Sequence, residues 1–270
     1  LTTPAELRRI GSARYLLLDN NTLDTANPEA VYLLEEINDD LIIDESEVSL
    51  FATFSPAGVS EATTFDIVLG SDGSLYTIDI TDPNQIESVD ILDPGATAKR
   101  EWFDSVDLLT LAGYVLTGTV NELEYLADTD EVVFGASGAG SAILAATDQN
   151  GSGRIDLPRE IRVLWDEAQS ADNPDTGSPR DIILTPGGSL YFTDGLRDRV
   201  WKLTDRNGDG DYNDAGETTV FYDSDDAAAA GLPPIELALS VAVWSCRADL
   251  AEPFGVLDLA DITAFIAAFQ

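Results

Sequence analysis

The sequence contains no histidine, no methionine and a single cysteine, Cys246. Without histidine, serine–histidine and cysteine–histidine nucleophile pairs are excluded, and so are zinc and haem sites with histidine ligands. One cysteine permits neither an internal disulfide nor a cysteine-based metal cluster. Because no methionine begins the chain, we expect a processed form or a fragment, from which any signal peptide has already been removed.

Basic residues are also scarce, because 14 lysines and arginines stand against 50 aspartates and glutamates, for a formal net charge of −36. Nucleic acid is therefore not an expected partner, since a polyanion would be repelled. Such a charge suits a salty or calcium-rich medium, in which screening and bound cations relieve self-repulsion. The sequence has no apolar run of about 18 residues and predicts no membrane span.

The chain does contain an internal repeat of about 57 residues. The stretches ILAATDQNGSGRIDLPRE (143–160) and VWKLTDRNGDGDYNDAGE (200–217) match, with Asp148 and Asp205 57 positions apart. A degenerate copy, VYLLEEINDDLIIDESE, spans 31–47. A second motif recurs over two periods, as FDIVLGSDGSLYTID (65–79) and RDIILTPGGSLYFTD (180–194). Repeats of this length are typical of propellers, solenoids and arrays.

Each repeat has the pattern of four short strands separated by turns, which is the content of one propeller blade. We therefore predict an all-β fold, a β-propeller of four visible four-stranded blades that is either complete or a fragment of a larger ring. The predicted units span about 6–54, 62–107, 120–168 and 180–225. The aromatic residues Trp102, Trp165 and Phe221 are expected in the cores between blades, because a lone blade would leave an apolar face uncovered.

The apolar stretch 235–245, IELALSVAVWS, complicates the blade count. It either begins a fifth, truncated blade or pairs beside the first unit and closes the ring, and both interpretations stay open. We assign 1–245 to the propeller. Residues 246–270 form a separate C-terminal segment, in which apolar residues such as Leu257, Ile262 and Phe265 predict one face of a short helix.

The acidic loops of the third and fourth repeats place oxygen ligands on alternate residues around a glycine, as Ca²⁺ requires. Both loops lack the glutamate at position 12 of an EF-hand. The alternative is a solvated loop, since Asp, Asn and Gly also favour turns, but recurrence at one period favours calcium. The predicted metal residues are Asp205, Asn207, Asp209, Asp211, Asn213 and Glu217 in one loop, and Asp148, Asn150, Ser152, Arg154, Asp156 and Glu160 in the other, with Asp211 and Arg154 offering backbone carbonyls.

Three stretches resemble known families. The loop core D-x-[DN]-x-[DS]-G-x-x-[DN] resembles the calcium loops of integrin-type propellers, which implies calcium hairpins between strands. The stretch GGSLYFTDGLRDRVWKLTD (187–205) resembles the repeat of NHL and gluconolactonase-like propellers, a group that includes enzymes and scaffolds. The tail CRADLAEPFGVLDLADITAFIAAF (246–269) is similar to GC-type dockerin-like segments of secreted, surface-anchored bacterial proteins, which implies sorting or anchoring.

These features predict a secreted or cell-surface, calcium-binding propeller that acts as a binding module with a C-terminal anchoring segment. The expected partners are calcium and another surface protein or a polysaccharide. The alternative is a calcium-dependent hydrolase of lactonase, phosphoesterase or glycosidase type, which would rely on carboxylates and metal-activated water. A structural surface-layer component is a third candidate. We recognise no catalytic motif. Convergent carboxylates around a central cation would favour the enzyme, and a filled channel with calcium only at the rim would favour binding.

Overall fold

The computed structural model describes residues 4–11, 13–19, 29–38, 42–53, 63–81, 86–96, 98–138, 140–185 and 187–231. These residues form four antiparallel four-stranded sheets, each with its strands in chain order. The fold is an all-β, four-blade β-propeller, which confirms the prediction from the repeats. The stretch 235–245, the segment 246–270 and its predicted helix lie outside the described residues.

The sixteen described strands fall into four blades. Blade 1 comprises β1 (Pro4–Gly11), β2 (Arg14–Asp19), β3 (Ala30–Glu35) and β4 (Val48–Thr53). Blade 2 comprises β5 (Thr63–Leu69), β6 (Leu75–Thr81), β7 (Ile86–Leu92) and β8 (Arg100–Asp104). Blade 3 comprises β9 (Leu116–Leu126), β10 (Glu131–Gly138), β11 (Ser141–Ala146) and β12 (Ile161–Asp166). Blade 4 comprises β13 (Pro179–Leu184), β14 (Leu190–Asp194), β15 (Arg199–Leu203) and β16 (Thr218–Asp223).

Short helices follow the last strands of blades 2 and 4. They are α1 (Ser105–Ala112) and α2 (Ser224–Ala229). Asp104 and Asp223 cap them, each accepting backbone N–H groups of the first turn, which satisfies donors that the helix leaves free. In the part of the chain that the structure describes, no helix has the length and apolar character needed to cross a membrane.

Three hydrophobic cores join consecutive blades within the described residues. Leu16 and Leu18 of blade 1 pack with Ile67 of blade 2. Between blades 2 and 3 the Phe103 and Phe134 rings lie 5.0 Å apart, and between blades 3 and 4 the Trp165 and Phe192 rings lie 5.2 Å apart. The expectations for Trp102 and Trp165 are met, since both are buried in these cores.

The expectation for Phe221 is wrong. Its side chain is 63 % exposed because it lies on the face of blade 4 that points away from blade 3. There its ring contacts Tyr191, with the ring centroids 5.0 Å apart in an edge-on arrangement. Sequence alone does not tell which side of the last visible blade is covered.

The first strands of neighbouring blades contact one another and line the centre of the molecule. Because the strands alternate in direction, the hairpin after each first strand and the loop after each third strand emerge on the same side. We call this side the hairpin face and define it by the turns 70–74 and 127–130 and the loops 147–160 and 204–217. Gly73 and Gly188 have φ of 88° and 76° in their hairpins, a conformation that glycine adopts without a steric penalty.

Candidate functional site

One acidic residue on the first strand of each blade forms the centre of the candidate site. These residues are Glu6, Asp66, Glu122 and Asp181, and each is followed by an aliphatic residue. Asp66 and Asp181 are 3 % and 8 % exposed. One carboxylate oxygen from each of Glu6, Asp66 and Glu122 lies within 4.8 Å of the other two. Three blades therefore bring carboxylates into direct proximity.

A β-bulge accompanies each of these acids and explains their common orientation. The register shifts directly before Glu6 and Asp66, and it shifts again around Asp181. In β9 the bulged residue is Glu122 itself, with a φ of 43° in the left-handed region. A bulge inserts one unpaired residue, bends the strand and redirects its side chains, which suits positions around a central channel.

The guanidinium of Arg8 lies within this group of carboxylates. Its Nη2 donates to both oxygens of Asp66, at 3.2 and 3.0 Å, to the carboxylate of Glu122, and to the carbonyl of Leu123 at 2.7 Å. Its Nη1 lies 3.5 Å from Glu124. The side chains of Arg8 and Asp66 are 18 % and 4 % exposed, so this ion pair is shielded from water. One protein cation thus bridges first strands of blades 1, 2 and 3.

The charges of the channel do not balance. Burial raises the pKa of Glu6 and of Glu124 to about 7, and the Asp66 carboxylate adds to the effect in both. Burial also raises the pKa of Glu122, and so does the charge of Asp66. Burial opposes the charge of Arg8, but Asp66 and Glu122 outweigh it and raise the pKa of the guanidinium. One arginine therefore leaves the carboxylates under-compensated, and Glu6 and Glu124 take up protons near neutral pH.

A cavity of about 680 Å³ adjoins the channel. It extends to the hairpin face, since its lining includes Gly70, Ser71 and Ala127 of that face. Its walls combine charge with apolar surface, and its lining includes Glu6, Arg8, Glu122, Glu124, Tyr125, Leu7 and Ile183. A concave site with apolar walls and a few convergent polar groups is the usual form of a small-ligand site.

The predicted metal residues of the 205 loop lie together, with their side chains directed at their own backbone. Asp205 accepts N–H groups of Gly208 and Gly210 at 2.6 and 3.0 Å. The Asn207 side chain donates to Asp209 at 2.9 Å, and Asp209 accepts the N–H of Asp211 at 3.2 Å. The oxygen of the Asn213 side chain instead accepts the N–H of Asp166 in blade 3 at 2.9 Å. Asn213 thus links two blades in this structure.

The 148 loop has the same architecture. Asp148 accepts the N–H groups of Ser152 and Gly153 at 3.1 and 2.6 Å, and the Asn150 side chain donates to Asp156 at 2.7 Å. The carbonyl of Arg154, a predicted ligand, accepts the hydroxyl of Ser152 at 2.9 Å. Occupancy of either loop by calcium stays a prediction.

Glu160 and Glu217, the last predicted ligand of each loop, bind the backbone of their loops. Glu160 accepts N–H groups of Asn150, Asp156 and Leu157 at 3.2, 2.9 and 3.0 Å, and is 1 % exposed. Glu217 accepts those of Arg206 and Asp214 at 2.8 and 3.2 Å, and is also 1 % exposed. In the degenerate copy, Glu47 does the same with Ile37, Asn38 and Asp44. We call these three residues the clamp glutamates.

Both complete loops also bind the preceding blade. Ile155 donates its backbone N–H to the carbonyl of Trp102 at 2.9 Å, and Tyr212, seven residues after Asp205, donates to Leu164 at 2.8 Å. The Arg154 side chain reaches Glu101 of blade 2 at 2.6 Å. A cation that ordered either loop would therefore also stabilise an interface between blades.

Sequence reasoning missed the channel acids and Arg8. A signal was present, because an acid followed by Leu or Ile recurs in every first strand, at steps of 60, 56 and 59 residues. Among 50 acidic residues this pair is inconspicuous until the first strands are known to converge.

No known protein family matches the sequence, and no curated protein matches it. Solved structures that resemble the fold include a luciferin-regenerating enzyme (11 % identity, TM-score 0.48, 74 % of this chain and 58 % of that one). Another is virginiamycin B lyase from Staphylococcus aureus, with 14 % identity and a TM-score of 0.43 over 82 % of this chain and 55 % of that one. A third is regucalcin from Agrobacterium tumefaciens, a calcium-binding protein, with 12 % identity and a TM-score of 0.47 over 87 % of this chain and 76 % of that one. This chain thus spans little more than half the length of the first two proteins. They are propellers of the NHL and gluconolactonase-like type, and the fold assignment rests on the four sheets described above.

Proposed function

We propose that this chain is a calcium-stabilised β-propeller that acts as a binding module, with the cavity at the hairpin face as its ligand site. The observation that carries the proposal is the position of Arg8 among carboxylates of blades 2 and 3. A metal-dependent hydrolase needs a coordination position for water or substrate. Here the guanidinium contacts the carboxylates that a central metal would use.

The cavity favours a partner that presents a cationic group on an apolar stem. Glu6, Glu122, Glu124 and Asp181 line it against Arg8 and Arg9, and Leu7 and Ile183 supply apolar wall. Burial of an amine or guanidinium beside raised-pKa carboxylates is favourable, because the incoming charge replaces bound protons. Of the two expected partners, a surface protein with a lysine or arginine fits this chemistry better than a neutral polysaccharide.

Calcium has a structural role in this proposal. The two acidic loops bridge blades 2 and 3 and blades 3 and 4 through Ile155 and Tyr212. Bound calcium would neutralise carboxylates in a chain with a net charge of −36 and hold these bridges in place. A secreted or surface location with anchoring by 246–270 belongs to the same proposal, since extracellular calcium reaches the millimolar level that such modules use.

Two measurements test the proposal. With Kd of roughly 10⁻⁴–10⁻³ M, ~10 mM Ca²⁺ should add about 1.4–2.7 kcal/mol per site to the free energy of unfolding. Calorimetric titration with N-acetyl-arginine methylamide should show binding to the wild-type chain and a loss of at least about tenfold in Glu124→Gln. Identical melting curves in calcium and in chelator would refute the calcium role. Equal affinity of the wild type and Glu124→Gln would refute the cavity as the ligand site.

A calcium-dependent hydrolase is the second candidate. The observation in its favour is that Glu6 and Glu124 have pKa values of about 7 beside a cavity, which suits general acid–base chemistry. Lactone, phosphoester and glycoside substrates should be assayed in calcium and in chelator. Turnover that needs calcium and disappears in Glu6→Gln would establish the hydrolase and displace the binding module.

A further inference from the structure

Five glycines of the described residues directly follow an asparagine or an aspartate. Four of them donate their backbone N–H to an oxygen acceptor, namely Gly73 to Gly70, Gly195 to Ser178, and both Gly208 and Gly210 to Asp205. The fifth is Gly151 in the 148 loop, whose N–H has no acceptor among the described residues. A backbone amide without a hydrogen bond, next to an asparagine side chain, is a chemically reactive arrangement.

Asn150–Gly151 and Asn207–Gly208 are the two Asn–Gly pairs of the sequence, and they occupy equivalent positions in the 148 and 205 loops. All four residues are exposed, so water reaches both pairs. The backbone has a similar shape at both glycines, since φ is 70° at Gly151 and 79° at Gly208. The two pairs therefore form a comparison within one chain, in which sequence, exposure and glycine conformation are alike.

The side chains of the two asparagines are also held alike. Each carbonyl oxygen accepts the N–H two residues further on, Asn150 from Ser152 at 2.7 Å and Asn207 from Asp209 at 2.9 Å. Each amide nitrogen donates to a carboxylate, Asn150 to Asp156 at 2.7 Å and Asn207 to Asp209 at 2.9 Å. Because an N–H that donates to a carbonyl oxygen draws electrons from the carbonyl carbon, both asparagines present a polarised carbon to an attacking nitrogen.

The difference between the pairs lies in the glycine nitrogen. The N–H of Gly208 donates to the carboxylate of Asp205 at 2.6 Å. A hydrogen bond to an ionised acceptor is about twice as strong as a neutral one, and this bond retains the proton that the nitrogen must lose before it can attack. Asp148, the equivalent of Asp205, instead accepts the N–H groups of the two residues after Gly151, at 3.1 and 2.6 Å. The acid that protects the glycine of the 205 loop therefore leaves Gly151 unprotected in the 148 loop.

We propose that Asn150 is a site of spontaneous deamidation in the folded chain, and that Asp205 protects Asn207 from the same reaction. The Gly151 nitrogen loses its proton to water or hydroxide and attacks the side-chain carbonyl carbon of Asn150. The new nitrogen–carbon bond closes a five-membered imide, while the bond from that carbon to Nδ2 breaks and ammonia leaves with a proton from water. Water then opens the imide at either carbonyl and yields aspartate or isoaspartate. The net reaction consumes one water and releases one ammonia.

The modification changes the chemistry of the 148 loop. Asn150 donates from Nδ2 to Asp156, and the product presents a carboxylate in that place. Two carboxylates that face each other repel unless a cation or a proton lies between them. Isoaspartate also adds a methylene group to the backbone, which lengthens the loop between Asp148 and Asp156. The site is independent of the proposed function, because the reaction requires neither calcium nor a ligand of the cavity.

Peptide mapping of the unmodified full chain tests the proposal. The chain is incubated in a mildly alkaline buffer with chelator, well below its melting temperature in that buffer, and aspartate and isoaspartate are quantified at both sites over time. Asn150 should be modified at least about tenfold faster than Asn207, as expected when a hydrogen bond to a charged group must be broken at one site only. In urea the two rates should converge, because unfolding removes the difference between the two amides.

Two outcomes of this experiment would overturn the proposal. One is an equal or faster rate at Asn207 in the folded chain. The other is a folded chain in which Asn150 stays unmodified while the same pair reacts in urea, since the loop would then protect the asparagine despite the free amide.

Asp205→Ala tests the protecting contact. Loss of this acceptor frees the N–H of Gly208 and should speed modification at Asn207 by at least about tenfold, with the rate at Asn150 unchanged. Asp148→Ala is the matched control and should leave the rate at Asn150 nearly unchanged, because this acid does not accept the N–H of the glycine after Asn150. If Asn207 stayed as slow in Asp205→Ala as in the wild type, the hydrogen bond to Gly208 would not be the source of protection. An equal acceleration at Asn150 in Asp148→Ala would mean that loop rigidity sets both rates, and it would refute the role of the free amide.

Discussion

Arg8 of blade 1 and Asp66 of blade 2 form a two-point ion pair, with one guanidinium nitrogen 3.2 and 3.0 Å from the two carboxylate oxygens. The same nitrogen donates to the carbonyl of Leu123 in blade 3 at 2.7 Å. Asp66 in turn accepts the N–H groups of Ile67 and Leu123. The pair therefore neutralises charge and links three blades, so the stability of the channel and its response to pH depend on it.

Replacement of Arg8 should be strongly destabilising at neutral pH. Arg8→Gln leaves Asp66, Glu122 and Glu124 without their shared cation, and removal of one partner of a shielded pair costs about 3–5 kcal/mol. This loss of stability should be smaller near pH 5, because Glu122 and Glu124 are then protonated and need no cation. Chemical denaturation of both chains at pH 7.5 and pH 5 measures the difference.

Arg14→Gln is the matched control, because Arg14 pairs with Glu35 at 2.7 Å in the same blade but both side chains are largely exposed (53 % and 41 %). It should cost at most about 1 kcal/mol. Equal effects of the two substitutions would mean that the channel pair is as solvated as the surface pair.

Stability should fall as pH rises from about 5 to about 8. The pKa of Glu6 is about 7 in the folded protein, mainly because of burial, against ~4.3 in an unfolded chain. The protonated acid is therefore favoured by folding, so its contribution is complete below pH ~4.3 and is lost as pH passes 7. After allowance for its partial exposure, Glu6 should account for about 1–2 kcal/mol of this loss.

Melting curves in chelator between pH 5 and pH 8 test this dependence. Glu6→Gln should flatten it and stabilise the chain at pH 8, whereas Glu45→Gln, a change at an exposed residue of the same blade, should not. A wild-type chain that gains stability up to pH 8 would contradict the raised pKa of Glu6.

The clamp glutamates should stabilise the folded protein even without calcium. Glu217→Gln keeps the shape but turns one acceptor into a donor, opposite the N–H of either Arg206 or Asp214. A buried N–H group without a partner costs about 1–3 kcal/mol, so we expect a loss of that size in chelator. Glu160→Gln should behave alike. If either variant lost stability only in the presence of calcium, that residue would act as a ligand and not as a clamp.

The 205 loop should bind calcium before the 148 loop. Its net charge is more negative, because it has one basic residue, Arg206, and five acidic ones, Asp205, Asp209, Asp211, Asp214 and Glu217. In the 148 loop, two basic residues, Arg154 and Arg159, offset most of the acidic charge. More ligand charge gives higher affinity. In a titration followed by NMR, Asp205→Ala should abolish the first transition and Asp148→Ala should spare it. If the 148 loop filled first, backbone preorganisation and not charge would set affinity.

The fold was predictable because its signal is periodic. The matching copies found in the sequence begin at Val31, Ile143 and Val200, within two residues of the observed third-strand starts at Ala30, Ser141 and Arg199. Alternating strands and glycine turns repeat every blade, so each copy supports the others. The acidic loops are compact in sequence, and the hydrogen bonds that Asp148, Asp205 and Glu217 accept come from within about a dozen residues.

The channel was not predictable in the same way. Arg8 is 58 residues from Asp66 and 114 from Glu122, and nothing local indicates that they meet. Their proximity depends on bulges that redirect side chains, including the left-handed backbone at Glu122. The prediction that Phe221 is buried between blades was wrong for a related reason. The surroundings of this side chain depend on which blade lies next to it and not on its own strand.

The placement of one acid on the first strand of every blade couples the size of the ring to the charge at its centre. Any duplication of a blade that copied Asp66 or Asp181 would add one negative charge to the channel, while the compensating Arg8 belongs to blade 1 alone. Growth of such a ring by duplication would thus make its centre progressively more anionic. New blades would persist only where the added acid was lost, paired with a new base or recruited to hold a cation.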